Sequence, residues 1–251
     1  MQFTSLEIDH GVATLILRDP DRRNALNLAM CAEMVEAVAE VEAREDVSAL
    51  IVTGSGKAFC AGADLSQLGA SQAEGLREIY SGFLAVASCR LPTIAAVNGA
   101  AVGAGMNLAL ACDVRVGTPN SRFDCRFLDL GIHPGGGHTW MLNRILGPQR
   151  AASMLLFGQI LDGEQAAAAG LLLECVEEHA LLPRCAELGS RAASAPRELL
   201  LRTKQTLQST ATMATHAEAV TAELGPQVES IQRPEFVERL AALAAKVSSR
   251  G

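Results

Sequence analysis

Apolar and polar residues alternate over "FTSLEID" and "VATLILR", which predicts two short strands, and the Asp9–Gly11 stretch between them predicts a hairpin. The period then changes. From Leu28 to about Glu45 the apolar positions recur at helical spacing behind Asn27, a residue type that caps helices. "SALIVTG" is an uninterrupted apolar run of the kind found in a buried strand, "SGKAFCAGADL" predicts a loop entering a short helix, and Gln72–Ser88 predicts another helix. The plan repeats with a strand at Thr93–Val97, a glycine loop, a helix beginning near Gly103–Gly105 and running to Ala111, and a strand at Asp113–Val116. Strands alternating with crossover helices predict an α/β fold.

After Pro119 the pattern is irregular up to Gly137. Helices follow at about His138–Leu146, Gln149–Leu156 and Gly163–Ala169, the last with Asp162 as its cap, and "LLLECV" predicts one more strand. Beyond about Leu182 every segment reads as helical, with breaks at Pro196, Gly225-Pro226 and Pro234. This run is rich in Ala and Leu, so it is expected to pack against another part of the chain or another subunit.

With 251 residues, 49% of them hydrophobic, the chain can bury a full core as one large domain or as a domain with an appendage. Its seven cysteines (31, 60, 89, 112, 125, 175 and 185) form no Cys-x-x-Cys pair, and the first residues alternate like a strand instead of forming a basic-then-apolar leader. These features predict free thiols in a reducing cytoplasm. A net charge of -7 and a pI near 5.3 argue against a broad nucleic-acid or anionic-membrane surface, while leaving room for a local basic patch that binds an anionic ligand. Leu91–Cys112 is about as long as a membrane span. An Asn-Gly turn signal divides it into a strand and a helix, and no basic flank sets a topology, so it is expected to be buried in the fold.

Two loops share one design. In "CAGAD" (Cys60–Asp64) and "VGAGMN" (Val102–Asn107) small residues precede a helix start, so backbone N–H groups face outward at the positive end of a helix. Such a site can stabilise developing negative charge on a carbonyl oxygen; small residues also serve simply to let a strand and a helix pack closely. Other chemistries lack their patterns. "TGSGKAF" fails the phosphate-loop pattern at both ends, with Ile51 and Ala58 where Gly and Ser or Thr are required. Neither loop contains G-x-G-x-x-G, and no G-x-S-x-G elbow occurs. His133 and His138 stand five apart across a proline and three glycines with no adjacent carboxylate, so no metal site is expected.

The stretches "DPDRRNALN", "GSGKAFCAGADL", "LPTIAAVNGAAVGAGMNLALACDVRV", "RFDCRFLDLGIHPGGG" and "FGQILDGEQAAAAGLLLECV" occur in an order and at a spacing that resemble the enoyl-CoA hydratase/isomerase, or crotonase, superfamily. The resemblance spans nearly the whole chain. It implies a right-handed spiral of strand-strand-helix turns over residues 1–194 and a helical oligomerisation region over 195–251. It also implies a homotrimer or a dimer of trimers, and an acyl-coenzyme A thioester as substrate with no further cofactor. By position, the thioester oxygen would lie between the N–H groups of Ala63 and Ala104, and Arg22, Ala25, Lys57 and Ala61 would contact coenzyme A, the two cations suiting its phosphates.

The chain departs from the family's hydratases at both catalytic glutamates. Asn107 occupies the position of the first and Phe127 that of the second. An amide can orient water or substrate but cannot take a proton near neutral pH, and Phe127 can only fill space. His133 and His138 are therefore the candidate proton carriers, with Asp124 and Asp129 beside Phe127 as further acids. Asp64 and Asp113 are expected to act as a cap and a strand-end partner, and Cys60 and Cys125 carry thiols near the implied site. The sequence thus leads to an enoyl-CoA hydratase-like enzyme with a non-standard acid and base. Its rivals are a non-catalytic acyl-CoA carrier or sensor and a purely structural oligomer.

Overall fold

The computed structural model describes residues 1–64, 66 and 73–248. The short helix expected after "CAGAD" falls outside the described residues, apart from Ser66.

The chain opens with a hairpin of β1 (Thr4–Asp9) and β2 (Val12–Leu17), turning through His10 and Gly11 at φ 46° and 80°. Two left-handed residues match the twist of a tight hairpin. Asn27 then caps α1 (Leu28–Ala43), its side-chain oxygen accepting from the Met30 N–H at 2.8 Å.

Three strand-strand-helix turns follow. They are β3 (Ala49–Gly54), β4 (Ala58–Cys60) and α2 (Ala73–Ser88); β5 (Thr93–Val97), β6 (Ala100–Val102) and α3 (Ala104–Ala111); and β7 (Val114–Gly117), β8 (Arg122–Asp124) and α4 (His138–Leu156). The first strand of each turn joins a six-stranded sheet, ordered β1-β2-β3-β5-β7-β10, and the second joins a four-stranded sheet, β4-β6-β8-β9. Both glycine loops therefore begin as strands, and the segment after Pro119, expected to be irregular, contains β8. From β2 to β10 the large sheet is parallel, as are β4, β6 and β8 in the small one. The remaining elements are β9 (Leu161–Asp162), α5 (Gly163–Ala168), β10 (Glu174–Cys175), α6 (Leu181–Ala193), α7 (Arg197–Thr210), α8 (His216–Ile231) and α9 (Pro234–Ser248). Within α4, Gly147 at φ 74° and ψ 169° ahead of Pro148 breaks the helix into the two expected pieces.

The central strands β3 and β5 are buried on both faces, which explains why they read as continuous apolar runs. One face packs Val12, Ala49, Ile51, Ile94, Ala96 and Val116 against Leu181 and Cys185 of α6, while Leu50, Val52 and Ala95 are buried on the other. Leu91–Cys112 is resolved into β5, β6 and α3, and among the described residues no helix is long and apolar enough to cross a membrane.

The chain divides into two compact units, Met1–Ala193 and Ser194–Gly251. In the second, Thr215 and Glu218 form a capping box at the start of α8, and Arg233, between α8 and α9, pairs with Glu198 of α7. Leu207, Leu224, Val228, Val237 and Leu240 remain exposed on these helices.

Candidate active site

The strands β4, β6 and β8 run parallel and side by side, so their carboxyl ends meet, as at ligand sites of other parallel sheets. The residues just beyond those ends, Ala61–Ala63, Val102–Ala104 and Cys125–Phe127, line one cavity of about 430 Å³. Leu76, Ile79 and Tyr80 of α2 add an apolar wall, and Leu130, Ile132 and His133 add another.

Two of the lining residues, Ala63 and Ala104, have backbone N–H groups whose surroundings the fold defines. Leu26 donates to Gly62 O and accepts from the Asp64 N–H, at 2.7 and 2.9 Å. Successive peptide groups in an extended strand point to opposite sides, so the Ala63 N–H faces away from Leu26. Ala104 is the first residue of α3, where an N–H has no acceptor within the helix. Each donor follows a glycine with positive φ, Gly62 at 108° and Gly103 at 51°. The two loops are held together by a close approach: a Cβ on Gly105 would lie 2.1 Å from Cys60 O. Small residues here therefore serve close packing of the strand and the helix.

Asn107 lines the cavity, and its amide is oriented by the protein. Nδ2 donates to Gly135 O at 3.0 Å, which places Oδ1 2.5 Å from His138 Nδ1. An amide oxygen only accepts, so His138 must carry its proton on Nδ1, leaving the Nε2 lone pair toward the Cys125 thiol at 3.3 Å. His138 is 1% exposed and does not line the cavity; the Phe127 ring packs edge-on against it at 4.9 Å. Burial depresses the His138 pKa to about 4. Burial, then the nearby Asp124 charge, push the Cys125 thiol up to about 12. Both groups are neutral at pH 7.

His133 is the one imidazole among the described residues lining the cavity. It is exposed, and its Nδ1 lies 2.7 Å from Pro134 O, so donation to that carbonyl leaves Nε2 as a base. Ala61 and Phe127 line the cavity, whereas Arg22, Ala25 and Lys57 do not. Arg22 and Lys57 are exposed, and Arg22 reaches Asp64 at 3.6 Å. Asp124, a further candidate acid, is 4% exposed and paired with Arg122 and Arg126. Asp129 is exposed and 3.8 Å from Arg126. Asp113 accepts from the Thr93 N–H and hydroxyl at 2.8 and 3.0 Å, as a strand-end partner should. Among the described residues, no Asp or Glu lines the cavity and no cluster suits a metal ion.

Three features were missed in the sequence. Tyr80, the chain's one tyrosine, joins the apolar stripe Leu76, Ile79 and Phe83, a spacing that could have revealed it. Arg126 reaches the cavity wall from a left-handed backbone, φ 57°, which no local pattern announces. The pairing of Cys125 with His138 spans an irregular segment and depends wholly on tertiary structure.

The model of the enoyl-CoA hydratase/isomerase family matches residues 7–247. The chain belongs to the enoyl-CoA hydratase/isomerase family. This family member is 51% identical over 246 residues to a probable enoyl-CoA hydratase of Mycobacterium tuberculosis, covering 94% of this chain and 95% of that protein. It is 34% identical over 224 residues to the 1,2-epoxyphenylacetyl-CoA isomerase of Escherichia coli, covering 84% of each chain. The enoyl-CoA hydratase structure from Bacillus anthracis superposes with a TM-score of 0.91 at 27% identity, covering 98% of this chain and 97% of that one. The strand-strand-helix turns are those of the crotonase fold.

Proposed function

We propose that the cavity binds an acyl-CoA thioester and transforms an enoyl-CoA by way of an enolate. The observation that carries this reading is the pair of backbone N–H groups, Ala63 and Ala104, each behind a left-handed glycine, in one largely apolar cavity. With the thioester oxygen between them, addition of water to the conjugated double bond drives electrons onto that oxygen. Each preorganised donor is worth about 2.7–4 kcal/mol of barrier. Leu76, Ile79, Phe127, Leu130 and Ile132 suit an acyl chain. Arg22 and Lys57, exposed outside the cavity, suit the coenzyme A phosphates.

Proton transfer falls to His133. Its Nε2 takes a proton from water as oxygen attacks the β-carbon, and the resulting imidazolium returns one to the α-carbon. The Asn107 nitrogen has a second hydrogen beyond the one given to Gly135, and that hydrogen can hold the water. Relatives named as a probable enoyl-CoA hydratase and as a 1,2-epoxyphenylacetyl-CoA isomerase support an acyl-CoA thioester as the ligand.

The test is crotonyl-CoA and longer trans-2-enoyl-CoAs, with products identified by mass. The expected result is a water adduct that retains coenzyme A, with kcat lowered roughly 100-fold or more in His133→Ala. If no acyl-CoA is turned over, the catalytic reading fails. A second reading, an acyl-CoA carrier, draws support from the lack of a carboxylate among the described lining residues, and predicts tight binding without turnover.

A further inference from the structure

The chain Cys125–His138–Asn107 has a use that hydration leaves unexplained. Cys125 follows β8 directly, and Gly103 of the neighbouring strand end donates to Asp124 O at 2.9 Å. The thiol-bearing residue is thus held next to the loop that presents the Ala104 N–H, and both line the same cavity. Behind the thiol stands His138 Nε2 at 3.3 Å, and behind the imidazole stands Asn107 Oδ1 at 2.5 Å. Gly135 O fixes the amide, the amide fixes the tautomer, and the tautomer leaves a lone pair facing the thiol. Nucleophile, base and orienter in this order make an acyl-transfer set wherever oxyanion donors adjoin the nucleophile.

We propose that Cys125, His138 and Asn107 give the cavity a second activity, hydrolysis of an acyl-CoA thioester through an acyl-Cys125 intermediate. The proposal rests on the reading that the thioester oxygen sits between the Ala63 and Ala104 N–H groups. Cys125 Sγ attacks the carbonyl carbon while its proton passes to His138 Nε2, and Asn107 Oδ1 supports the imidazolium through Nδ1–H. The tetrahedral intermediate collapses with cleavage of the bond to the coenzyme A sulfur, which leaves with the proton from Nε2. Water then attacks the acyl-Cys125 carbonyl, giving its proton to Nε2. On collapse the Cys125 sulfur leaves and is reprotonated, so the net reaction is acyl-CoA plus water to carboxylic acid plus coenzyme A. The resting pair is neutral, because burial holds His138 at about 4 and Cys125 at about 12. The thiol is therefore activated during attack, as a serine hydroxyl is, instead of being stored as a thiolate.

The experiment mixes full-length protein with butyryl-CoA, which has no double bond to hydrate. Free coenzyme A is measured by chromatography, protein adducts by intact and peptide mass, and binding by calorimetry. The expected result is coenzyme A release with a butyryl adduct on Cys125 that hydroxylamine removes. Release should fall at least 100-fold in Cys125→Ala and in His138→Gln. Binding without release, or release that persists at the wild-type rate in a Cys125→Ala protein that binds butyryl-CoA, overturns the proposal and leaves the binding reading standing. Absence of binding by the wild-type protein overturns both. If the variants do not fold, the presence or absence of the adduct on wild-type Cys125 decides.

Discussion

At the scale of single residues, His138 ties the fold to pH. Its pKa falls from the ordinary 6.5 to about 4 because it is buried, so the folded chain keeps it neutral where the unfolded chain already binds a proton. The stability linked to this group is fully present above pH 6.5. It is lost as pH falls toward 4, by about 3 kcal/mol in total at 1.36 kcal/mol per unit. Urea titrations between pH 7 and 4 should show this loss in the wild-type protein and a shallower one in His138→Gln; parallel pH profiles would contradict it. The residue scale is also where the sequence is least informative. The absence of both glutamates is legible directly from Asn107 and Phe127. That Asn107 is engaged by Gly135 and His138, that Cys125 completes the chain, and that Asp124 is buried against two arginines all depend on side chains meeting across loops.

At the scale of elements, the site is made by three short parallel strands ending side by side. The hairpin, α1 with its Asn27 cap, β3, β5 and α5 with its Asp162 cap were legible because each carries a local period or a capping residue. β4, β6 and β8 have three residues each, too few to show alternation, and they exist as strands through pairing with one another. Gly105 is what lets α3 press on β4. A methyl group there would meet the backbone oxygen of Cys60, which cannot swing aside as a side-chain tip can. Gly105→Ala should therefore cost about 1–3 kcal/mol of stability in denaturant unfolding, and should weaken acyl-CoA binding by separating the Ala63 and Ala104 loops. Wild-type stability and affinity in this variant would contradict that account.

At the scale of the whole molecule, the second unit leaves Leu207, Leu224, Val228, Val237 and Leu240 exposed on α7–α9, and exposed apolar side chains grouped on helices suit a protein contact. We propose that these helices mediate self-association into a trimer or a dimer of trimers, as the family resemblance implied. Sedimentation should give a mass three or six times that of the 26.3 kDa chain, and Leu224→Glu should shift the distribution toward the monomer. A monomeric wild-type protein would contradict this. The alternation of strand and helix was legible at this scale. The division of strands between two sheets was not, because sheet membership is set by which edges meet after the chain has turned.

The central claim is that two backbone donors in this cavity activate an acyl-CoA thioester. Its most direct test is incubation of the wild-type protein with crotonyl-CoA, with calorimetric binding and product mass followed together. Saturable binding and enzyme-dependent conversion of the thioester are the expected result. Crotonyl-CoA recovered unchanged, with no heat of binding, would contradict it.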